Sequence, residues 1–171
     1  MNRPSDEWLE AVHDADWQLL KRLADTAHPP VVIDAAQLRE LIELNVPTDV
    51  LLRCVAAYSR LPGADVHHCG LLEACAALSH THSYAFLSFR TLLTAGLSPN
   101  IIIDNGDTLL QNLISRNRVR EVAELLRHGV DPQQMNVFGR ESTSNREGAR
   151  RAGNAAGELA WAWFQRNASM Q

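Results

Sequence analysis

Gly63, Gly96 and Gly129 stand at intervals of 33 residues, and each follows an apolar helical run. Around the last two the chain corresponds position by position: Gly96-Leu97-Ser98-Pro99-Asn100 against Gly129-Val130-Asp131-Pro132-Gln133. Ten residues beyond each comes another glycine, Gly106 and Gly139. A glycine just past a helix suits the left-handed cap that ends it, and a second suits a tight return before the next helix. A fixed period of this length is the mark of stacked supersecondary units, each too small to bury its own apolar face.

Between the glycines the pattern is helical. Leu109, Leu110, Leu113 and Ile114 form one stripe, Ser115-Arg116-Asn117-Arg118 interrupts it, and Val119, Val122, Ala123, Leu125 and Leu126 define a second helix ending at His128-Gly129. Leu71–Leu78, a polar break, and Tyr84–Ala95 repeat this helix–turn–helix. Elsewhere Ser5 predicts the cap of a helix through His13, with Asp16–Thr26 its partner before Pro29-Pro30. Asp34 predicts a cap for a helix through Leu44, and Thr48 one for a helix through Tyr58. Ser144-Asn145-Arg146-Glu147 reads as a capping box, and Gly153-Asn154 separates that helix from a last one, Ala155 to about Arg166. The reading is five helix pairs, about ten helices. Ten-residue helices are marginal alone in water, so their stripes need neighbours on both sides.

These units resemble the ankyrin repeat. Gly63-Ala64-Asp65-Val66 is similar to that family's loop start, Thr108-Leu109-Leu110-Gln111 stands where its T-P-L-H would be, and Arg127-His128-Gly129-Val130-Asp131-Pro132 is similar to its repeat end. The likeness is strongest over 63–139. In the third unit the loop (Gly63 to Gly70) is about five residues short and the interhelical break about five long, so the 33-residue interval survives by cancellation. The fifth unit starts with polar Glu141-Ser142-Thr143-Ser144, as suits a degenerate cap. The resemblance implies an all-α solenoid, one domain over 1–171, with units at about 5–30, 34–62, 63–95, 96–128 and 129–166 and degenerate terminal caps.

Composition narrows the function classes. With 46% apolar residues, 21% charged and a net charge of −4, the chain is suited to a packed core and not to disorder. No apolar stretch reaches eighteen residues, so no membrane partner is expected. Met1–Glu7 lacks the apolar core of a signal peptide, so the expected location is cytoplasmic. A single lysine, Lys21, against fifteen arginines suits a GC-rich, bacterial coding sequence. Residues 1–114 carry seven basic and fourteen acidic side chains, net −7; residues 115–171 carry nine and six, net +3, including Arg140, Arg146, Arg150 and Arg151. One modest basic patch is poor support for nucleic-acid binding.

No phosphate loop, nucleophile elbow or H-E-x-x-H motif is present, and the carboxylates read as scattered over solvated helix faces. Enzymatic activity is therefore not expected, nor is a cofactor. His67, His68, Cys69, Cys75, His80 and His82 cluster, but at no familiar zinc spacing. Cys75 and Cys54 fall on apolar stripes and read as core, so no metal is expected. Trp161 and Trp163 are two apart on one helix and cannot both face inward.

The loops are the stronger functional candidates. Carried over from the resemblance, which implies binding through loop tips and the exposed side of the first helix, the partner-binding residues are Ile102, Asp104, Asn105, Asp107, Ser115 and Arg116 in the fourth unit. In the fifth they are Val137, Phe138 and Arg140. Ile101-Ile102-Ile103 and Met135-Val137-Phe138 are apolar for surface loops, and in an extended loop alternate residues must point away from the neighbouring loop. The expected function is a non-catalytic protein-binding module acting through the concave, loop-bearing face as a cytosolic adaptor or regulator, a monomer by default. The alternatives are an immunity or antitoxin protein that neutralises a toxin, and a secreted effector or nucleic-acid-associated protein.

Overall fold

The structure is a computed structural model that describes residues 6–25, 34–137 and 142–168. Among them ten helices form: α1 (Asp6–His13), α2 (Trp17–Asp25), α3 (Ala35–Glu43), α4 (Thr48–Tyr58), α5 (Leu71–Leu78), α6 (Ala85–Thr94), α7 (Leu109–Ser115), α8 (Val119–Arg127), α9 (Asn145–Arg151) and α10 (Ala155–Ala168). The fold is all-α, and no described helix is long and apolar enough to cross a membrane. The expected cap at Ser5, the end of α2 at Thr26 and Gly139 lie outside the described residues.

Local chemistry sets the helix ends. Asp34 caps α3 through a full capping box, its side chain accepting the Gln37 N–H while Gln37 accepts the Asp34 N–H, both at 2.9 Å. Asp16 Oδ1 accepts the Leu19 N–H at 2.9 Å at the start of α2. Thr108 and Ser144 cap α7 and α9. Two expectations change. Pro47, not Thr48, precedes α4; Thr48 is the first helical residue, and its buried hydroxyl bonds Ser88 Oγ at 2.9 Å instead. Ser144 forms its half of the capping box, but the Glu147 carboxylate is drawn away by Arg150 and Arg151.

Three helix pairs close on the same turn. Ala15, Asn45 and Asn117 take positive φ (52°, 55° and 53°) between the two helices of their pairs. In each, the following amide reaches back five residues: Asp16 N–H to Ala11 O at 2.9 Å, Val46 to Leu41 at 3.0 Å, Arg118 to Leu113 at 2.9 Å. These are Schellman bonds, which satisfy carbonyls that the helix end leaves free. Asparagine tolerates this conformation better than other side chains.

The chain divides into two compact units, 1–92 and 93–171, with the boundary inside α6. In the first, α2 packs on α4 and α3 on α5, around Trp8, Leu20, Leu38, Leu41, Leu51 and Phe89, all fully buried. In the second, α7 packs on α9 and α8 on α10, around Leu109, Leu110, Val122, Leu125 and Ala160. Within both units, then, first helices stack on first helices and second on second. The same polar device ties successive pairs. Asn117 Oδ1 accepts the Ala156 N–H at 3.1 Å, and Asn45 Oδ1 accepts the Tyr84 N–H at 3.1 Å. In return, Asn154 Nδ2 donates to Ile114 O at 2.8 Å and His82 Nε2 to Glu43 O at 2.9 Å.

Not every carboxylate is solvated, as the sequence suggests. Glu121 and Glu124 are buried in α8, and Val119 is exposed instead. Arg118 reaches Glu121 at 3.0 Å and Arg127 reaches Glu124 at 2.7 Å, each one helical turn away, so both charges enter the packed side of the helix already paired.

Candidate functional site

The exposed loops of the second unit are two short hairpins. In the first, Ile102 bridges Thr108; Ile103 N–H donates to Asp107 O and Gly106 N–H to Ile103 O, both at 2.9 Å. Gly106 supplies the positive φ of 87° that the tip requires. Asn105 stiffens the tip, accepting the Asp107 N–H at 3.0 Å and donating to Asp107 Oδ2 at 3.1 Å. In the second hairpin Met135 bridges Ser144, and Asn136 exchanges two bonds with the Thr143 backbone. Val137 N–H then donates to Gly106 O at 2.8 Å, joining the two hairpins.

The alternation follows the pleat. Ile101 and Ile103 are buried while Ile102 is exposed; Asn136 is buried while Met135 is exposed and Val137 is 67% exposed. Three apolar side chains thus face solvent on adjoining hairpins beside exposed Asp104 and Asn105 and half-buried Asp107. Ser115 and Arg116 do not join this group. They lie at the other end of α7, seven residues on and about 10 Å along the helix axis. Ser115 Oγ donates to Asn112 O at 2.8 Å, and the Arg116 N–H caps α7. Phe138 and Arg140 lie outside the described residues.

Between α7 and α9 runs a groove of about 400 Å³. Gln111, Ser115, Asn136, Thr143, Arg151 and Asn154 line it, over Ile114, Gly148 and Ala152. A second hollow of about 660 Å³, which takes in Met135 and Glu147, shares Thr143 and Arg151 with it. Glycine inside a helix costs about 1 kcal/mol relative to alanine, and the groove gives the reason for it. A Cβ at position 148 would lie 3.2 Å from Gln111 Cγ, so Gly148 lets Gln111 lie flat and donate from Nε2 to Thr143 O at 2.7 Å. No local pattern in the sequence marks this groove except that helical glycine.

Electrostatics at the groove end are set by one carboxylate between two guanidiniums. Arg150 meets Glu147 through Nε at 2.8 Å and Nη2 at 2.6 Å, and Arg151 Nε meets it at 2.6 Å. The Arg150 hydrogen bonds, helped by both positive charges, hold the Glu147 carboxyl down at about 2, so it stays ionised. Arg146 lies over the Trp161 ring, 5.6 Å from its centroid, and Trp161 and Trp163 are both half-buried.

The histidine and cysteine cluster is spread over separate contacts. His68 Nδ1 pairs with Asp65 at 2.8 Å, His82 serves Glu43 O, and Cys69 and Cys75 are buried. No group of three or more His, Cys, Asp or Glu converges among the described residues. Burial pushes the Cys54 and Cys75 thiols up to about 12. The thiolate is the form that reacts, so both thiols are held in the unreactive form. Alkylation of the folded chain with iodoacetamide should therefore leave Cys54 and Cys75 unmodified by peptide mapping, and urea should expose all three cysteines. Rapid labelling of either residue in the folded chain would contradict their place in the core.

Compared with family models, curated proteins and solved structures, the chain matches none.

Proposed function

We propose that this chain is a non-catalytic protein-binding module of the ankyrin-repeat kind, a solenoid of five helix pairs that holds a partner protein with its hairpin tips and the α7/α9 face. The observation that carries the reading is the apolar row Ile102, Met135 and Val137, displayed on hairpins tied together by the Val137–Gly106 bond. Apolar side chains exposed on a stiff backbone and rimmed by Asp104 and Asn105 have the make-up of an interface centre with a polar edge. The occurrence of the same turn, the same stacking order and the same asparagine device in both units supports the solenoid.

The test is affinity capture with the chain immobilised, followed by titration of the recovered protein. Met135 and Val137 are exposed, so Met135→Asp with Val137→Asp should leave the circular dichroism and the urea midpoint unchanged. Each aspartate removes an apolar contact worth about 1.5 kcal/mol or more when buried, so the pair should weaken partner binding by a hundredfold or more. Equal binding by wild type and the double variant would overturn the assignment of this surface.

A further inference from the structure

We propose that the groove between α7 and α9 receives an acidic segment of the partner protein, its carboxylate held by Arg151; this rests on the protein-binding reading above. Among the described residues that line the groove, Arg151 is the charged one. Its Nε contact with Glu147 uses one of the five N–H donors of a guanidinium, and its side chain stays 65% exposed. Glu147 is shared with Arg150, which takes both of its oxygens, so among the described residues two cations contact this one anion at the end of α9.

A planar guanidinium fork beside a groove matches a carboxylate in two parallel hydrogen bonds. The rest of the lining suits a peptide backbone. Gln111 keeps one amide hydrogen beyond the bond it gives Thr143, and Ser115 brings a hydroxyl. Gly148 leaves the floor clear, because a side chain there would push against Gln111. The charge layout also gives a direction. Asp104 and Asp107 sit on the first hairpin, so acidic residues of the segment belong at the α9 end and not at that tip. A nucleic acid fits less well. Its affinity comes from several phosphates neutralised in a row, and among the described residues the groove is lined by one cation, Arg151, already in contact with the ionised Glu147.

Panning a phage library of random dodecapeptides on the whole immobilised chain tests this. The expected result is enrichment of Asp- and Glu-bearing peptides whose affinity falls at least tenfold in Arg151→Glu, less in Arg151→Lys, and falls further as sodium chloride rises. Arg151 is exposed, and in the Glu variant Glu147 keeps Arg150, so the circular dichroism should not change. Three results would overturn the proposal: no acidic enrichment, equal binding to Arg151→Glu, or displacement of the peptides by a dodecamer of thymidine with the same dependence on Arg151. Should the partner still be captured through Met135 and Val137 while acidic peptides fail, the groove assignment falls and the protein-binding reading stands. Failure of both experiments sinks both.

Discussion

Asn145→Ala should destabilise the chain by about 3 kcal/mol, because it strands the buried Thr108 hydroxyl, at about 1–3 kcal/mol, and removes a hydrogen bond to the Asp131 backbone worth about 0.5–1.5 kcal/mol. Asn145 is fully buried. Its Oδ1 accepts the proton of Thr108, and its Nδ2 donates to Asp131 O at 2.7 Å. The Thr108 hydroxyl is doubly used, since its oxygen also accepts the Gln111 N–H at 3.1 Å as the cap of α7. One amide therefore joins the capping residue of one helix pair to the loop that enters the next. Urea unfolding should show the loss as a midpoint lower by about 1.5 M for a slope near 2 kcal/mol/M. Asn145→Asp separates the two bonds. As a carboxylate it still accepts from Thr108, but it faces the Asp131 carbonyl; protonated, it can donate there. Its folded pKa is thus raised above the ordinary value of about 3.9. The stability of this variant should be greatest below that value and fall as pH rises through the raised one. Asn145→Ala should show no such added dependence. A pH-independent Asn145→Asp variant would mean that the Asp131 contact is not made.

What the sequence disclosed and what it hid divide by range along the chain. Asp34 with Gln37, Ser144 with the Glu147 N–H, and Gly106 at its turn are chemistry within three or four residues, and each is legible as a local pattern. The alternation of Ile101, Ile102 and Ile103 follows from the pleat once an extended loop is expected. Thr48 misleads because a threonine at a helix start is usually a cap, whereas here its partner, Ser88, is forty residues away. Asn145 and Asn117 likewise bond groups 37 and 39 residues off, and nothing near them in the chain selects those partners. The asparagine turns also escape the 33-residue rule. Asn45 and Asn117 are 72 residues apart, not 66, because Gly63 follows Asn45 by 18 residues whereas Gly129 follows Asn117 by 12: α4 is longer than α8 and more chain separates it from its glycine. The groove is hidden for the same reason: Gln111, Asn136 and Arg151 meet only after α7 and α9 stack. The resemblance groups Ser115 and Arg116 with the hairpin tip, and the length of α7 separates them from it.

Asn117→Ala should cost about 3 kcal/mol and Asn117→Gly about half of that, a difference that splits one residue into two functions. The backbone at 117 has a φ of 53°, which costs an ordinary L-residue about 1–2 kcal/mol and glycine nothing. The side chain also accepts the Ala156 N–H, and Ala156 is fully buried. Glycine removes only the hydrogen bond; alanine removes the bond and adds the strain. Asn117→Asp keeps the acceptor and should lie nearest to wild type. Urea midpoints of the three variants should therefore run Asp above Gly above Ala. Equal losses for Gly and Ala would exclude backbone strain as a cause. The same series at Asn45, whose φ is 55°, should keep the order with smaller losses for Gly and Ala, because its partner, Tyr84, is exposed and water can replace the lost acceptor. The strain increment between Gly and Ala should nonetheless be the same at both positions, since it belongs to the turn and not to its surroundings. An equal increment at 45 and 117 alongside unequal hydrogen-bond losses is what two copies of one repeat device, set in differently buried places, require.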